Sequence, residues 1–535
     1  MTDRFFIKLF GSQGFKTNVS IMKRGLHLIA LLLFIHGCTK ISEPEGIDLI
    51  PPVEEKPKSR VEIKISSENP GYWEYKDEPI LLIGASEEDN LYQYPADGRL
   101  HLYYDDQMTL IEHLDILQEI GGNYVRGSLS SRNQGNRFPY LKTSGTPGVN
   151  VDTDVYDLDQ WDQEWIDRLD TFLDECEKRD IIVQLEFFDR FDLRGDNPHH
   201  PEDGIYNTGW NCHPWNPDRN TSYTSQDSGL PGGSYTGGNH PLWYCVPELS
   251  HDPAAPGAVV LETLKNYVDK VLDITFKYGN VLYQIENETL EPLEFGAYWT
   301  NYIKDKAESE GKNVFVTNQA RENELNNPRQ QEIRRSSKYD FYDFSQNWEG
   351  SDYDAYYNNW LAAKEDIADE KTETDMKPLT AVKLYGGSLG WTGGSIRGIT
   401  HFWVSLFAGA ASARFHRPPS GIGINADAQA HIKSARMLFN EFNVFTSEPN
   451  NSLLSNRSYN EAWCLAEIGK QYAVYFRDGG SVEIDMSEAS GDFEVKWLKI
   501  EESEWSATFT ISGGGKQTLS APSTGQKWVA LILKK

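Results

Sequence analysis

From position 79 onward the chain repeats one pattern: a short apolar run rich in β-branched and aromatic residues, then a longer stretch with apolar residues every three or four places. A run that is apolar on both faces reads as a parallel strand, and the stretch after it as the amphipathic helix crossing back over the sheet. Eight runs fit: 80–85 (ILLIGA), 124–127 (YVRG), 181–187 (IIVQLEF), 281–286 (VLYQIE), 314–317 (VFVT), 341–345 (FYDFS), 379–384 (LTAVKL) and 400–403 (THFW). Between them, 162–179 sets Trp165, Leu169, Phe172 and Leu173 on one helical face, and 258–278 and 295–310 behave likewise. Eight strand–helix units over about 340 residues predict a (β/α)8 barrel with insertions. An open doubly wound sheet is the alternative, but no glycine-rich phosphate loop follows the first strand.

The remainder of the chain is arranged around this barrel. Segment 60–75 (RVEIKISSENPGYWEY) alternates like a hairpin capping the barrel's bottom. After a helical stretch at 435–445, short strands separated by Gly, Ser and Asp turns (472–476, 480–486, 493–499, 507–511, 527–533) predict an antiparallel β-sandwich. The expected division is a leader over 1–38, a linker over 39–59, the barrel with its hairpin over 60–446, and the sandwich over 447–535. Few aromatics lie off the strand-core positions of the sandwich, so it is expected to seal the barrel.

The leader reads as an export signal. Met22-Lys23-Arg24 is a basic start, and 26–35 is an apolar run too short to span a bilayer. It ends in Ile35-His36-Gly37-Cys38, which resembles a bacterial lipobox with Cys38 as the lipidated residue. The Pro/Glu/Lys-rich 42–60 then reads as a tether, so the expectation is an exported lipoprotein of the cell envelope, held at the outer membrane by its lipid alone. In that compartment Cys212 and Cys245, both in a long polar insertion, can form a disulfide. Cys176 and Cys464 read as buried thiols.

Composition narrows the function. A net charge of −29 argues against a nucleic-acid partner, because phosphate binding needs a basic face. Fifteen Trp and 27 Tyr are enough to build a sugar cleft, since the apolar face of a pyranose packs on a flat ring. No His/Cys spacing of a structural zinc site and no EF-hand loop is present, so neither a metal nor a cofactor is expected.

In such a barrel the chemistry gathers at the C-terminal ends of the strands. The fourth run ends Tyr283-Gln284-Ile285-Glu286-Asn287-Glu288, which places Glu288 just past the strand, over the barrel mouth. A carboxyl partly desolvated there can keep its proton near neutral pH and deliver it to a leaving oxygen, while Asn287 binds a sugar hydroxyl.

These residues resemble the clan A glycoside hydrolases, whose acid/base is the Glu of an Asn-Glu pair ending the fourth strand. Gly121-Gly122-Asn123-Tyr124-Val125-Arg126 is similar to the second-strand segment of such enzymes, where the Arg supports the nucleophile. The order of hairpin, barrel and sandwich, with YAVYFRDGG in the last, is similar to bacterial apiosidase-like enzymes bearing a collagen-binding-type sandwich; the name implies nothing about collagen here. The resemblance implies a polysaccharide or oligosaccharide substrate, from plants or algae, and a nucleophilic Glu at the end of the seventh strand.

Here that position is Lys383, 95 residues after Glu288, and lysine cannot form the glycosyl ester. Three readings stay open. Another carboxylate has taken over, first Glu349 in SQNWEG (with Asn347 beside it), then Glu186 or the Glu87-Glu88-Asp89 run. Or the seventh strand is aligned wrongly. Or the barrel binds glycans without cleaving them. A barrel enzyme that works through Lys383 as a base or Schiff-base nucleophile is a further alternative. Candidate substrate contacts are Arg126, Glu186, Asn287, Asn347, Lys383, Tyr385, Trp391 and His416, with Arg414 beside the last as partner for a uronate or sulfate. From the long insertion, Trp210, His213 and Trp215 are added, because loops of that length often line a site.

Overall fold

A computed structural model describes residues 61–93, 108–131, 136–145, 153–193, 209–235, 239–347, 350–368 and 376–535. Cys38 and Glu349 lie outside the described residues. Eight parallel strands form the central sheet: β1 (Leu82–Ala85), β2 (Tyr124–Ser128), β3 (Ile182–Asp189), β4 (Val281–Asn287), β5 (Val316–Thr317), β6 (Tyr342–Asp343), β7 (Leu379–Leu384) and β8 (Ser412–Phe415). Their order is 5-4-3-2-1-8-7-6. The seam is bridged where the Asp340 N–H donates to the Val316 carbonyl (2.9 Å) and Thr317 Oγ1 to that of Phe341 (2.6 Å). Where β1 meets β2, a Cβ on Gly84 would lie 1.7 Å from the Tyr124 carbonyl oxygen, so only glycine fits. The architecture is the predicted (β/α)8 barrel, followed by antiparallel sheets.

One strand is corrected. Residues 400–403 lie in the helix Gly394–Phe407, and the eighth strand is Ser412–Phe415. Every residue from Gly398 to Phe407 is buried, because this helix is enclosed by the barrel on one side and the C-terminal sheet on the other. A helix buried all round shows no amphipathic period, so its apolar run resembles a strand. The true strand carries a buried arginine, Arg414, and looks polar.

The N-terminal strands cap the bottom of the barrel. The Ile63 N–H donates to Gly279, just before β4 (2.7 Å), and Trp73 packs edge-on against Phe315 and Phe341, which precede β5 and β6. The larger C-terminal sheet works on both faces. Along Gln471–Phe476, Ala473 and Tyr475 turn to the barrel core, while Tyr472, Val474 and Phe476 turn to the second sheet. Tyr475 stacks on Trp403 at 5.4 Å, and a large side chain buried so contributes about 1.5–3 kcal/mol. This sheet seals the barrel's flank. It also contains Ala462–Glu467 and is backed by Lys516–Ser520, two strands that the sequence reading passed over.

Candidate active site

An open cleft of about 900 Å³ lies at the C-terminal ends of the strands. Register explains what meets there. Asp189 of β3 pairs with Asn287 of β4, so the next residue on each strand, Arg190 and Glu288, emerge side by side. Glu288 holds a left-handed backbone (φ 52°), a conformation a non-glycine residue adopts at some cost and one that recurs at functional sites.

The Glu288 carboxylate is the point on which the site converges. Lys383 Nζ, from the end of β7, donates to its Oε1 at 2.9 Å and to Asn287 Oδ1 at 2.7 Å. Arg190 Nη2 donates to Oε2 at 3.0 Å. Gln346 Nε2 (3.3 Å) and the Tyr385 hydroxyl (3.2 Å) complete the cage. The alignment of the seventh strand is therefore right: its residue facing Glu288 is Lys383. Burial pushes the Glu288 carboxyl up, but Lys383 and Arg190 outweigh it and hold the group well below the usual carboxylate range. The proton expected on Glu288 near neutral pH is thus not there. The expectation failed because both cations come from distant parts of the chain. Burial lowers the Lys383 amine and Glu288 raises it, with the net shift downward. Its neighbours are polar, not the apolar pocket a Schiff-base lysine needs.

Beside this cage lies a second charged network. Arg126 of β2 bridges Asp89 (3.0 Å) and Glu186 (2.5 Å), and Ser128 and Gln284 also donate to Glu186, each at 3.0 Å. Arg417 Nε reaches Asp89 at 2.8 Å. Burial opposes charge on Asp89, yet the guanidiniums of Arg126, Arg417 and Arg414 keep it ionised. Arg126 therefore braces Asp89 and Glu186 rather than a strand-7 carboxylate. Of the run 87–89 only Asp89 lines the cleft; Glu87 accepts from the Ile424 N–H at 2.6 Å on another face.

Trp391 is half exposed, packs on Tyr385 (5.1 Å), and Tyr385 on His416 (5.4 Å), which makes an aromatic wall suited to a sugar ring. Burial leaves His416 uncharged.

Several expected contacts are elsewhere. Trp210, His213 and Trp215 form the insertion's own core: Trp210 stacks near His213, and Trp215 packs on Phe188 and Tyr267. The cavity beside His213 and Trp215 holds only about 20 Å³, too small for a sugar. The expected disulfide is not formed: Cys212 ends one short turn and Cys245 closes another, and neither is bridged. Asn347 turns away, donating to the Tyr356 carbonyl at 3.4 Å, while its neighbour Gln346 faces the cleft. Glu186 is buried beneath Arg126 and does not line the cleft. Arg414 is wholly buried, donating to the Val382 carbonyl and Ser86. Sequence reasoning missed Arg190, Arg321, Gln346 and Arg417. The signal for Arg190 was present, since it is the first residue past β3, as Glu288 is past β4.

Alternation sends Glu286 the other way, where Asn318 (2.8 Å) and Thr289 (2.9 Å) donate to it. Gly296 lets the following helix close on it, for a Cβ there would sit 2.4 Å from Asn318 Nδ2. Burial raises the Glu286 carboxyl to about 8. A carboxyl raised on folding gives its full stability below the ordinary carboxylate range and loses it as pH rises through 8. Glu286→Gln, which cannot titrate, should therefore gain on wild type as pH rises from 5 to 8. Urea unfolding at each pH should show a gain on the order of 2–4 kcal/mol at the upper end, and a constant difference across the range would refute this.

No family model matches the sequence, and neither does any curated protein. Solved structures do. A glycoside hydrolase superposes with a TM-score of 0.56 at 14% identity, covering 89% of this chain and 97% of that one. A glycoside hydrolase family 5 protein from Bacteroides vulgatus does so with 0.52 at 14% identity, covering 89% and 94%. The chain has the fold of these glycoside hydrolases, and at such identity the likeness is one of fold alone.

Proposed function

We propose that the protein is a glycoside hydrolase acting on plant or algal polysaccharide or oligosaccharide, with Glu288 as its reacting carboxylate. The observation that carries this reading is the placement of Glu288: past β4, lining the open cleft, with four side chains converging on it and a left-handed backbone. The aromatic wall of Trp391 and Tyr385 is in keeping with a sugar ring.

An ionised Glu288 is suited to take the proton of an attacking water or to attack the anomeric carbon itself. Glu349 is then the proposed partner that protonates the leaving oxygen as the carbon–oxygen bond breaks. In net terms the hydroxyl of water ends on the anomeric carbon and its proton on the departing sugar. No cofactor enters this scheme.

One observation favours a second reading. Lys383 stands where a retaining enzyme needs its nucleophile, and it is ion-paired with Glu288. A surface glycan-binding protein without turnover accounts for that pair directly. Release of reducing sugar from a polysaccharide panel by wild type, Glu288→Gln and Glu349→Gln separates the two. Release by wild type that is lost in Glu288→Gln supports the hydrolase. Binding without release from any glycan establishes the second reading instead.

The leader carries the proposed address, an exported lipoprotein of the outer membrane lipidated on Cys38. Cys38→Ser should move the protein from the membrane to the soluble fraction of the producing cells. An unchanged membrane association would remove the anchor from the account.

A further inference from the structure

The cage around Glu288 contains more positive charge than that carboxylate uses. Arg190 is only 5% exposed, and its Nη2 donates to Glu288, yet its Nε and Nη1 are buried with no hydrogen-bond partner. Buried guanidinium nitrogens left without acceptors are costly, and an anion is the acceptor that suits them. Lys383 already supplies the second cation to the same carboxylate. On the opposite flank Arg321 lines the cleft, exposed, with no ion pair among the described residues. Its backbone N–H donates to the Thr289 carbonyl at 3.3 Å, so it rises next to the loop that carries Glu288. Arg190 follows β3, Glu288 follows β4 and Arg321 follows β5: three adjacent strands set a carboxylate between two arginines.

Resting on the glycan reading above, we propose that this sector of the cleft recognises an acidic sugar, with one carboxylate or sulfate group held by the Arg190 guanidinium and within the field of Arg321. A neutral sugar leaves both arginines unanswered. A long polyanion is opposed by Glu322 and Glu324 on the cleft rim and by the net charge of −29, so the ligand is a short acidic glycan with its anionic group held locally.

Calorimetric titration of the purified protein tests this with trigalacturonic acid, a sulfated galactan tetrasaccharide, and neutral manno- and xylotetraose. The expected result is binding to one of the acidic ligands that weakens with added salt, and little or none to the neutral ones. Which acidic ligand binds tells carboxylate from sulfate. Arg321→Ala, an exposed change that leaves the Glu288 cage intact, should weaken acidic binding about tenfold or more. Neutral ligands bound as tightly as acidic ones, or an Arg321→Ala protein with unchanged acidic affinity, would overturn the proposal while leaving the glycan reading standing. Failure of every glycan to bind would end both.

Discussion

Glu288→Gln protein should lose about 10²–10⁴ of the wild-type rate on any glycan the wild type cleaves, the range that a positioned proton-transfer group contributes. The amide keeps the shape of the side chain, but its single oxygen can accept from Lys383 or from Arg190 and not from both, because its NH2 turns donors toward the other cation. What is removed is the negative charge that both cations hold in place. The same change leaves Lys383, only 2% exposed, beside Arg190 without an anion, and some stability should go with it. Thermal unfolding of the variant therefore belongs with the rate measurement. A folded variant that cleaves at the wild-type rate would show that the reacting carboxylate lies elsewhere, and Asp89, ionised on the cleft wall, would be the next to test.

The largest expected effect on stability belongs to Arg126. It is 1% exposed and joins two carboxylates on neighbouring strands, Asp89 past β1 and Glu186 in β3. Removing one member of a buried charge network strands the others, at a cost of about 3–5 kcal/mol. Arg126→Met should show that loss in urea unfolding. Asp89 keeps Arg417, so most of the loss should trace to Glu186. The double variant Arg126→Met/Glu186→Leu should recover part of it, since an apolar replacement of the whole pair is far less costly than half of it. A single variant as stable as wild type would mean that water or rearranged neighbours satisfy Glu186.

The parts of this molecule that repeat were legible in its sequence, and the parts that depend on distant encounters were not. Seven of the barrel strands follow from apolar runs because strand burial leaves a local mark. The eighth does not, because Arg414 makes Ser412–Phe415 look polar while a fully buried helix imitates a strand nearby. Glu288 was found from its position one residue past β4. Its charge state was not, because the residues that set it lie 98 and 95 positions away, at Arg190 and Lys383. The aromatic insertion misled for a related reason: Trp210, His213 and Trp215 have the composition of a sugar cleft, but a long loop also needs a core of its own. Between Gln346 and Asn347, a turn after β6 decides which side chain faces the cleft, and pattern alone does not fix that turn.

The central claim is that the cleft around Glu288 hydrolyses glycosidic bonds. It is tested most directly by following the anomeric protons of short acidic and neutral oligosaccharides by NMR as they stand with the wild-type protein. The account predicts new reducing-end signals from at least one acidic oligosaccharide, with the first anomer formed also reporting retention or inversion. Spectra that show ligand broadening on binding but no new anomeric signal from any oligosaccharide would contradict the claim and leave a glycan-binding protein.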